Sequence, residues 1–384
     1  MRQFPDSLLD DSQIAFRETA IRFANDHIAP NAYEWEEAEA FPKDLYRTAG
    51  KAGILGAGFP EDVGGAGGTI LHVIATQEGL LRGGSTGVIA GLGSLGIALP
   101  PVIAANDPMH IDQYVRPTIR GDKVAALAIT EPGGGSDVAS IRTKAVKDGD
   151  HYVVSGAKMF ITSGVNADFV VALCRTGPEP HSGLTFFIID RTLPGYSVSR
   201  ALKKTGWRAS DTAELSFNEV RVPATHRVGP EGSGFLAVVR NFQAERLVLA
   251  AYGHTSAQIA YENARDYAQQ RTAFGRRLSG FQVTRHKLAE MWTQIVAAKT
   301  LNYTVASRIA AGETLIAEVS AAKNFSTIVA EKVCREAVQI LGGMGYMRET
   351  VVERLSRDVR LLAIGGGTYE IMNEIITKSL FNPA

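Results

Sequence analysis

Cysteine is scarce. Cys174 and Cys334 are the only two in 384 residues, and they lie far apart with no CxxC or Cys/His spacing around them. A disulfide scaffold and a cysteine-based zinc site are both disfavoured, and no metal centre is expected. Net charge is also lacking: forty Lys and Arg balance forty Asp and Glu. A neutral chain is not built mainly around nucleic acid or an acidic membrane surface. No uncharged apolar run approaches the roughly 20 residues of a membrane span. The opening segment, Met1–Asp11, has neither the basic start and apolar core of a signal peptide nor the Arg-rich character of a transit peptide. A cytoplasmic protein is therefore expected. Glycine is the one excess, with 39 residues that fall in clusters.

The length suggests two or three structural units at roughly 100–200 residues each. Residues 1–122 read as helical. Ile14, Ala15, Ile21 and Phe23 punctuate a polar segment, Phe41-Pro42 opens another helix, and Gly64–Gly68 breaks the pattern. From Asp122 short β-type runs take over: Val124–Ile129, Tyr152–Ser155, Phe169–Cys174, Leu184–Ile189, Tyr196–Ser199 and Ala213–Phe217. Turn residues separate them, as in a small antiparallel sheet or barrel. From Gly234 the helical period returns, over Gly234–Gln270, Gln282–Ala311 and Leu315–Leu341, with a last helix near Thr368–Leu380. The order predicts three domains, 1–122, 123–233 and 234–384. The fold class is mainly α with a central β domain, and strands that do not alternate with helices disfavour a doubly wound nucleotide fold.

Glu245 is the most informative residue. Val238, Phe242, Glu245, Leu249 and Tyr252 follow at spacings of 4, 3, 4 and 3, one helical face that is apolar except for the carboxylate. Its neighbours three and four residues away are Asn241, Phe242, Val248 and Leu249. None is a cation, so no local ion pair accounts for it. Arg246 is adjacent but points to another face. A carboxylate desolvated among apolar groups has a raised pKa, as a general base often does. The plainer reading is an edge glutamate that reaches solvent or a distant arginine.

Other segments carry weaker signals. Thr130–Asp137 holds three glycines after a strand and suits close approach to a ligand or a plain turn. Phe160 and Thr162 stand two residues apart, on one face if extended; a planar cofactor or an ordinary strand core fits them. Arg271 at a helix end suits a phosphate or the helix C-terminus. Gln339–Tyr346 and Gly365–Thr368 are glycine-rich corners, the second with Thr368 as N-cap of the following helix.

Taken together, five ordered motifs resemble the flavin-dependent acyl-CoA dehydrogenase family over essentially the whole chain. They are Ala128–Pro132 with Gly135-Ser136-Asp137, Gly156–Thr162, Gly206–Thr212, Arg271–Gly275 and Gln339–Tyr346. The resemblance implies an all-α N-terminal domain, an antiparallel β-barrel-like middle domain and a C-terminal four-helix bundle. It also implies a homotetramer, a dimer of dimers, with FAD near each dimer interface. Ile129 and Thr130 look like flavin contacts, Phe160 would lie against the flavin, and Thr162 would bond near its N5. Many relatives carry Trp where Phe160 stands. Arg271, Phe274, Gln282, Gln339 and Gly343 look like contacts to a neighbour's FAD, and Thr368 and Glu370 like contacts to the chain's own. Ser136, Phe242, Arg246, Gly365 and Gly366 form the implied substrate set.

The implied reaction is oxidation of an acyl-CoA, medium, long or methyl-branched, to the trans-2-enoyl-CoA, with electron-transferring flavoprotein as acceptor. Straight-chain members carry the base in a Tyr-Glu-Gly-Thr loop, but here that stretch reads Gly365-Gly366-Gly367-Thr368. Isovaleryl and long-chain members place a Glu before Arg-Leu on the long helix, and Glu245-Arg246-Leu247 matches. Glu245 is thus expected to remove the α-proton as hydride passes to flavin N5, with the Gly366 N–H as a donor to the enolate oxygen. Glu370 is the rival carboxylate. Gly365 and Gly366 suggest a pocket that tolerates a methyl branch or a bulky acyl group. Glycines 91, 93 and 96 suggest either a roomy acyl channel or close helix packing. Alternatives are an acyl-CoA oxidase, a nitroalkane oxidase and a family member that has lost its base.

Overall fold

Helix α1 (Asp11–Phe23) opens on a reciprocal cap: the Asp10 carboxylate accepts from the Gln13 N–H at 2.8 Å, and Gln13 Oε1 accepts from the Asp10 N–H at 3.0 Å. Such a cap satisfies two otherwise orphaned donors at a helix start. The computed structural model describes residues 5–381. After α1 come several short helices and α2 (Ile70–Leu81), a mostly buried helix that packs against α1. Gly64, at φ 93°, ends the turn that precedes α2. Helical structure continues to Ile119.

Eight strands follow: β1 (Ala125–Ala128), β2 (Lys144–Asp148), β3 (His151–Thr162), β4 (Phe169–Arg175), β5 (Leu184–Asp190), β6 (Tyr196–Ala201), β7 (Thr212–Pro223) and β8 (Arg227–Val228). They form one sheet in the order β6-β7-β3-β2-β4-β5-β8, with β1 beside β4. Among the described residues the sheet does not close, so the barrel-like expectation is corrected to an open sheet. It is also not purely antiparallel, since β1 runs parallel to β4 with Ala125 opposite Phe169. A long excursion through the β2–β3 hairpin separates these two strands, which is what a parallel pair requires.

Alternation along β4 and β5 sends side chains into two different cores. Phe169, Val171, Leu173, Phe186 and Ile188 join the large core shared with the helices. Val170, Ala172, Cys174, Phe187 and Ile189 join a second core inside the sheet domain. Covering on both faces explains why these two strands read as continuous apolar runs. β2 escaped the sequence reading because three of its five residues, Lys144, Lys147 and Asp148, are charged and exposed.

Helices then return. α3 (Gly234–Gln270), α4 (Gln282–Ala310), α5 (Ile316–Leu341) and α7 (Tyr369–Phe381) make the C-terminal bundle, and α6 (Val351–Asp358) precedes the last turn. α3 packs most extensively on α5, and α5 in turn on α7. α6 was not foreseen. Among the described residues no single helix is long and apolar enough to cross a membrane.

Candidate active site

Glu245 sits where α3 crosses α5 and the glycine corner before α7. Its carboxyl oxygen Oε2 is buried with no hydrogen-bond partner among the described residues. Burial pushes the carboxyl up to about 7, against the opposing pull of Arg246 and Lys323. An unpaired, desolvated carboxylate is costly.

The glycine corner presses on this carboxylate. A Cβ on Gly366 would stand 2.6 Å from Leu249 Cδ1 and 3.5 Å from Glu245 Oε1. Gly366 and Gly367 have φ of 65° and 97°, a region that favours glycine. Gly365 differs: a Cβ there meets nothing nearer than 3.7 Å. Packing demands glycine at 366 and leaves 365 free. Arg246 does not point away from this region: its Nε donates to the Gly366 carbonyl at 3.2 Å, and its guanidinium lies 5.8 Å from the Phe242 ring centroid. Thr368 caps α7, its Oγ1 accepting from the Ile371 N–H at 3.3 Å. Glu370, one turn into solvent, is exposed.

Lys323 is a member of this cluster that sequence reasoning missed. It lies on α5, fully buried, and its Nζ donates to the Gly367 carbonyl. The signal was available: its helical neighbours Val319, Ser320, Ser326 and Thr327 are all buried, so the lysine interrupts an apolar and small-residue face much as Glu245 does.

A second cluster joins two separate segments. The Met159 N–H donates to the Thr130 carbonyl at 2.8 Å, and Lys158 Nζ donates to the Ile129 carbonyl at 2.9 Å. Lys158 also meets Glu131 Oε1 at 3.0 Å, and the Glu131 carboxylate takes the N–H groups of Arg142 and Thr143 at 2.8 Å each. These bonds hold Ile129 and Thr130 beside Phe160. There β3 shifts register against β7, and Phe160 takes φ 60° and stays 64% exposed. A large aromatic held outward by a bulge, beside open backbone at Gly133 and Gly134, fits a flat aromatic cofactor. Ile161, between Phe160 and Thr162, is buried, while Thr162 is half-buried. Ser136 lies on the exposed loop beyond.

The remaining residues stand apart. Arg271 follows the last residue of α3, and Phe274 is 96% exposed at the tip of a two-stranded hairpin. Gln282 begins α4, and Gln339 and Gly343 mark the end of α5; all three are exposed. An open groove of about 520 Å³ runs between α4 and α5 near Gln282 and does not include Glu245. Of the three glycines near residue 93, Gly91 is packed tightly, its added Cβ falling 2.6 Å from Phe41, whereas Gly96 faces open space.

Comparison with known proteins identifies three family regions. The acyl-CoA dehydrogenase N-terminal domain matches residues 10–122, the middle domain 126–220 and the C-terminal domain 232–381. A solved structure described as a probable acyl CoA dehydrogenase from Mycobacterium abscessus superposes with a TM-score of 0.96 at 50% identity, covering 97% of this chain and 100% of that one. An acyl-CoA dehydrogenase of Bacillus subtilis is 36% identical over 96% of this chain and 97% of its own. The mitochondrial isovaleryl-CoA dehydrogenase of Oryza sativa subsp. japonica is 37% identical, over 97% of this chain and 92% of its own.

Proposed function

The chain belongs to the acyl-CoA dehydrogenase family, and from that premise we propose that Glu245 is the base of its reaction. The reaction is FAD-dependent oxidation of the CH–CH bond next to an acyl-CoA thioester. Bound FAD supplies the two-electron oxidation by accepting hydride from the β-carbon. The chain's own groups handle the proton and the developing charge. Glu245 takes the α-proton, and the pair left by the broken C–H bond becomes part of the new double bond. A carboxyl raised to about 7 is a stronger base than an ordinary one and still partly ionised at neutral pH.

One observation carries this reading: the Glu245 carboxyl, with its Oε2 buried and unpartnered, lies against Gly366 at the corner. Among the described residues the Gly366 N–H donates to no protein group. It is the donor we assign to the enolate oxygen; a preorganised donor of this kind is worth about 10²–10³ in rate. Glu370 is exposed in the first turn of α7 and lacks the desolvation that would make it a base. Ile129, Thr130, Phe160 and Thr162 would hold the flavin ring, with Thr368 and Glu370 beside the same cofactor. Ser136, Phe242, Arg246, Gly365 and Gly366 would face the substrate.

Arg271, just past the end of α3, lies 26 residues beyond Glu245, roughly 39 Å away at helical rise. That span supports contact between Arg271, Phe274, Gln282, Gln339, Gly343 and the cofactor of another subunit; that the assembly is a homotetramer is our inference from the family resemblance. Electron-transferring flavoprotein is the acceptor we infer. We place the domain boundaries at 122/123 and 233/234.

For the substrate we favour a methyl-branched or bulky acyl group. Gly365 is a glycine that packing does not require, and Gly96 faces open space. Anaerobic titration of the holoenzyme with matched straight and 3-methyl-branched acyl-CoAs tests this. Faster flavin bleaching with the branched member is expected, and a strong preference for the straight chain overturns the substrate reading.

A further inference from the structure

Two peptide planes at the glycine corner are each held by a buried cation. Arg246 Nε bonds the Gly366 carbonyl at 3.2 Å, and Lys323 Nζ bonds the Gly367 carbonyl. Peptide planes are rigid, so fixing two successive carbonyls fixes both planes and the dihedrals of the glycine between them. The corner has no side chains of its own to do this, and glycine loses the most conformational freedom on ordering. On the next residue of α5, Asn324 Nδ2 donates to the Tyr369 carbonyl and to Asn373 Oδ1, both at 3.0 Å, which ties down the start of α7. The face of α5 toward the corner is therefore a row of donors that take its outward carbonyls.

Lys323 is unusual within that row. It is fully buried, and among the described residues no carboxylate forms an ion pair with it. An apolar side chain of similar length would fill the space without the desolvation cost of a buried ammonium. The charged groups around it are Glu245 and Arg246 on α3; Tyr252 lies further along α3, close enough to feel Glu245, and Glu370 on α7 is turned to solvent. Lys323 is pulled down to about 8 by burial and by Arg246, while Glu245 draws it upward. Lys323 in turn draws Glu245 downward.

We propose that Lys323 is a positioning residue for the reaction: its Nζ, bonded to the Gly367 carbonyl, locks that peptide so that the corner stays seated on Glu245, and its ammonium is the cation on α5 that shares this buried cluster with that carboxylate. This rests on Glu245 being the base. The two parts separate by substitution. Lys323→Met removes donor and charge. Lys323→Gln keeps an amide donor and removes the charge. Lys323→Arg keeps both.

The test uses FAD-loaded wild type, these three variants and Glu245→Gln. The protonated carboxyl band of Glu245, assigned by its loss in Glu245→Gln, is followed by infrared difference spectroscopy across pH in the resting holoenzyme. Anaerobic flavin reduction by isovaleryl-CoA and by octanoyl-CoA is measured in parallel, per bound FAD. Lys323→Met is expected to lower the reduction rate at pH 7 about tenfold and to move the Glu245 titration to higher pH. Lys323→Gln should recover part of the rate while leaving the titration displaced, and Lys323→Arg should restore both. An unmoved Glu245 titration in Lys323→Gln overturns the proposal, even if Lys323→Met does not fold. A rate loss with an unmoved titration does the same, because packing alone would explain it. If Glu245→Gln reduces flavin as fast as wild type, the base assignment fails; the infrared titration still reports separately on Lys323.

Discussion

Glu245 and Asp358 are both buried carboxylates pushed up to about 7, and their surroundings differ. Glu245 is raised by burial alone, with two cations pulling it back. Asp358 is raised by burial and by the neighbouring Glu36. Asp358 is fully buried, and one of its oxygens accepts the Trp207 N–H at 2.7 Å. Glu36 accepts from Ser85 Oγ at 2.8 Å and from the Ala209 N–H at 3.2 Å. This pair stitches the N-terminal helices, the loop after β6 and α6 into one junction. Glu36 Oε2 and Asp358 Oδ2, like Glu245 Oε2, are buried without a hydrogen-bond partner among the described residues, but only Glu245 lies against the glycine corner. A raised pKa and a bare buried oxygen are common to both sites; only Glu245 has the free N–H of Gly366 beside it.

The sharpest way to break that contrast is substitution of each by its amide. Glu245→Gln should slow flavin reduction about 10²–10⁴-fold, the usual worth of a positioned base. Asp358→Asn keeps an oxygen for the Trp207 N–H and should leave the rate per bound FAD within about threefold. Stopped-flow reduction of both variants decides it, and equal losses would erase the distinction. Gly366→Ala comes next. Its Cβ would press on Leu249 at 2.6 Å from a φ of 65°, and a forced left-handed residue costs about 1–2 kcal/mol. A rate loss of about 10–100-fold with FAD retained is expected from displacement of the adjacent N–H.

Stability gives a smaller effect with a definite sign. The Glu245 carboxyl titrates near 7 when folded and near 4.5 when unfolded. Between those values the unfolded chain binds fewer protons, so this group's contribution falls as pH rises. Glu245→Gln removes that loss. Its holoenzyme should be more stable than wild type at pH 8, by about 1–3 kcal/mol, with the gain shrinking toward pH 5. Thermal melts at the two pH values read it. The smallest effect is on selectivity: Gly365→Leu meets no close contact within the chain and should fold, but lower the branched-to-straight rate ratio about tenfold.

Much of this was legible in the sequence for physical reasons. The long helices carry uninterrupted periodic faces, and α3 was bounded correctly as Gly234–Gln270. Glu245 showed itself because one carboxylate on an apolar stripe has no local excuse. Lys323 broke its own face in the same way and went unread, since small residues such as Ser320 and Ser326 make that face look polar. The Asp358–Glu36 junction could not be read at all: its partners lie 322 positions apart, and no local pattern encodes their meeting. The parallel placement of β1 beside β4 and the bulge that turns Phe160 outward are likewise tertiary outcomes, invisible to alternation along a strand.

The most direct test of the account is α-proton exchange. The FAD-loaded enzyme is incubated anaerobically in D₂O with an acyl-CoA whose β-carbon carries no hydrogen to lose, and α-deuterium incorporation is followed by mass spectrometry. Wild type, Asp358→Asn and Glu370→Gln should exchange, and Glu245→Gln should not. Exchange in Glu245→Gln at the wild-type rate, or its loss in Glu370→Gln, would contradict the assignment of the base to the long helix.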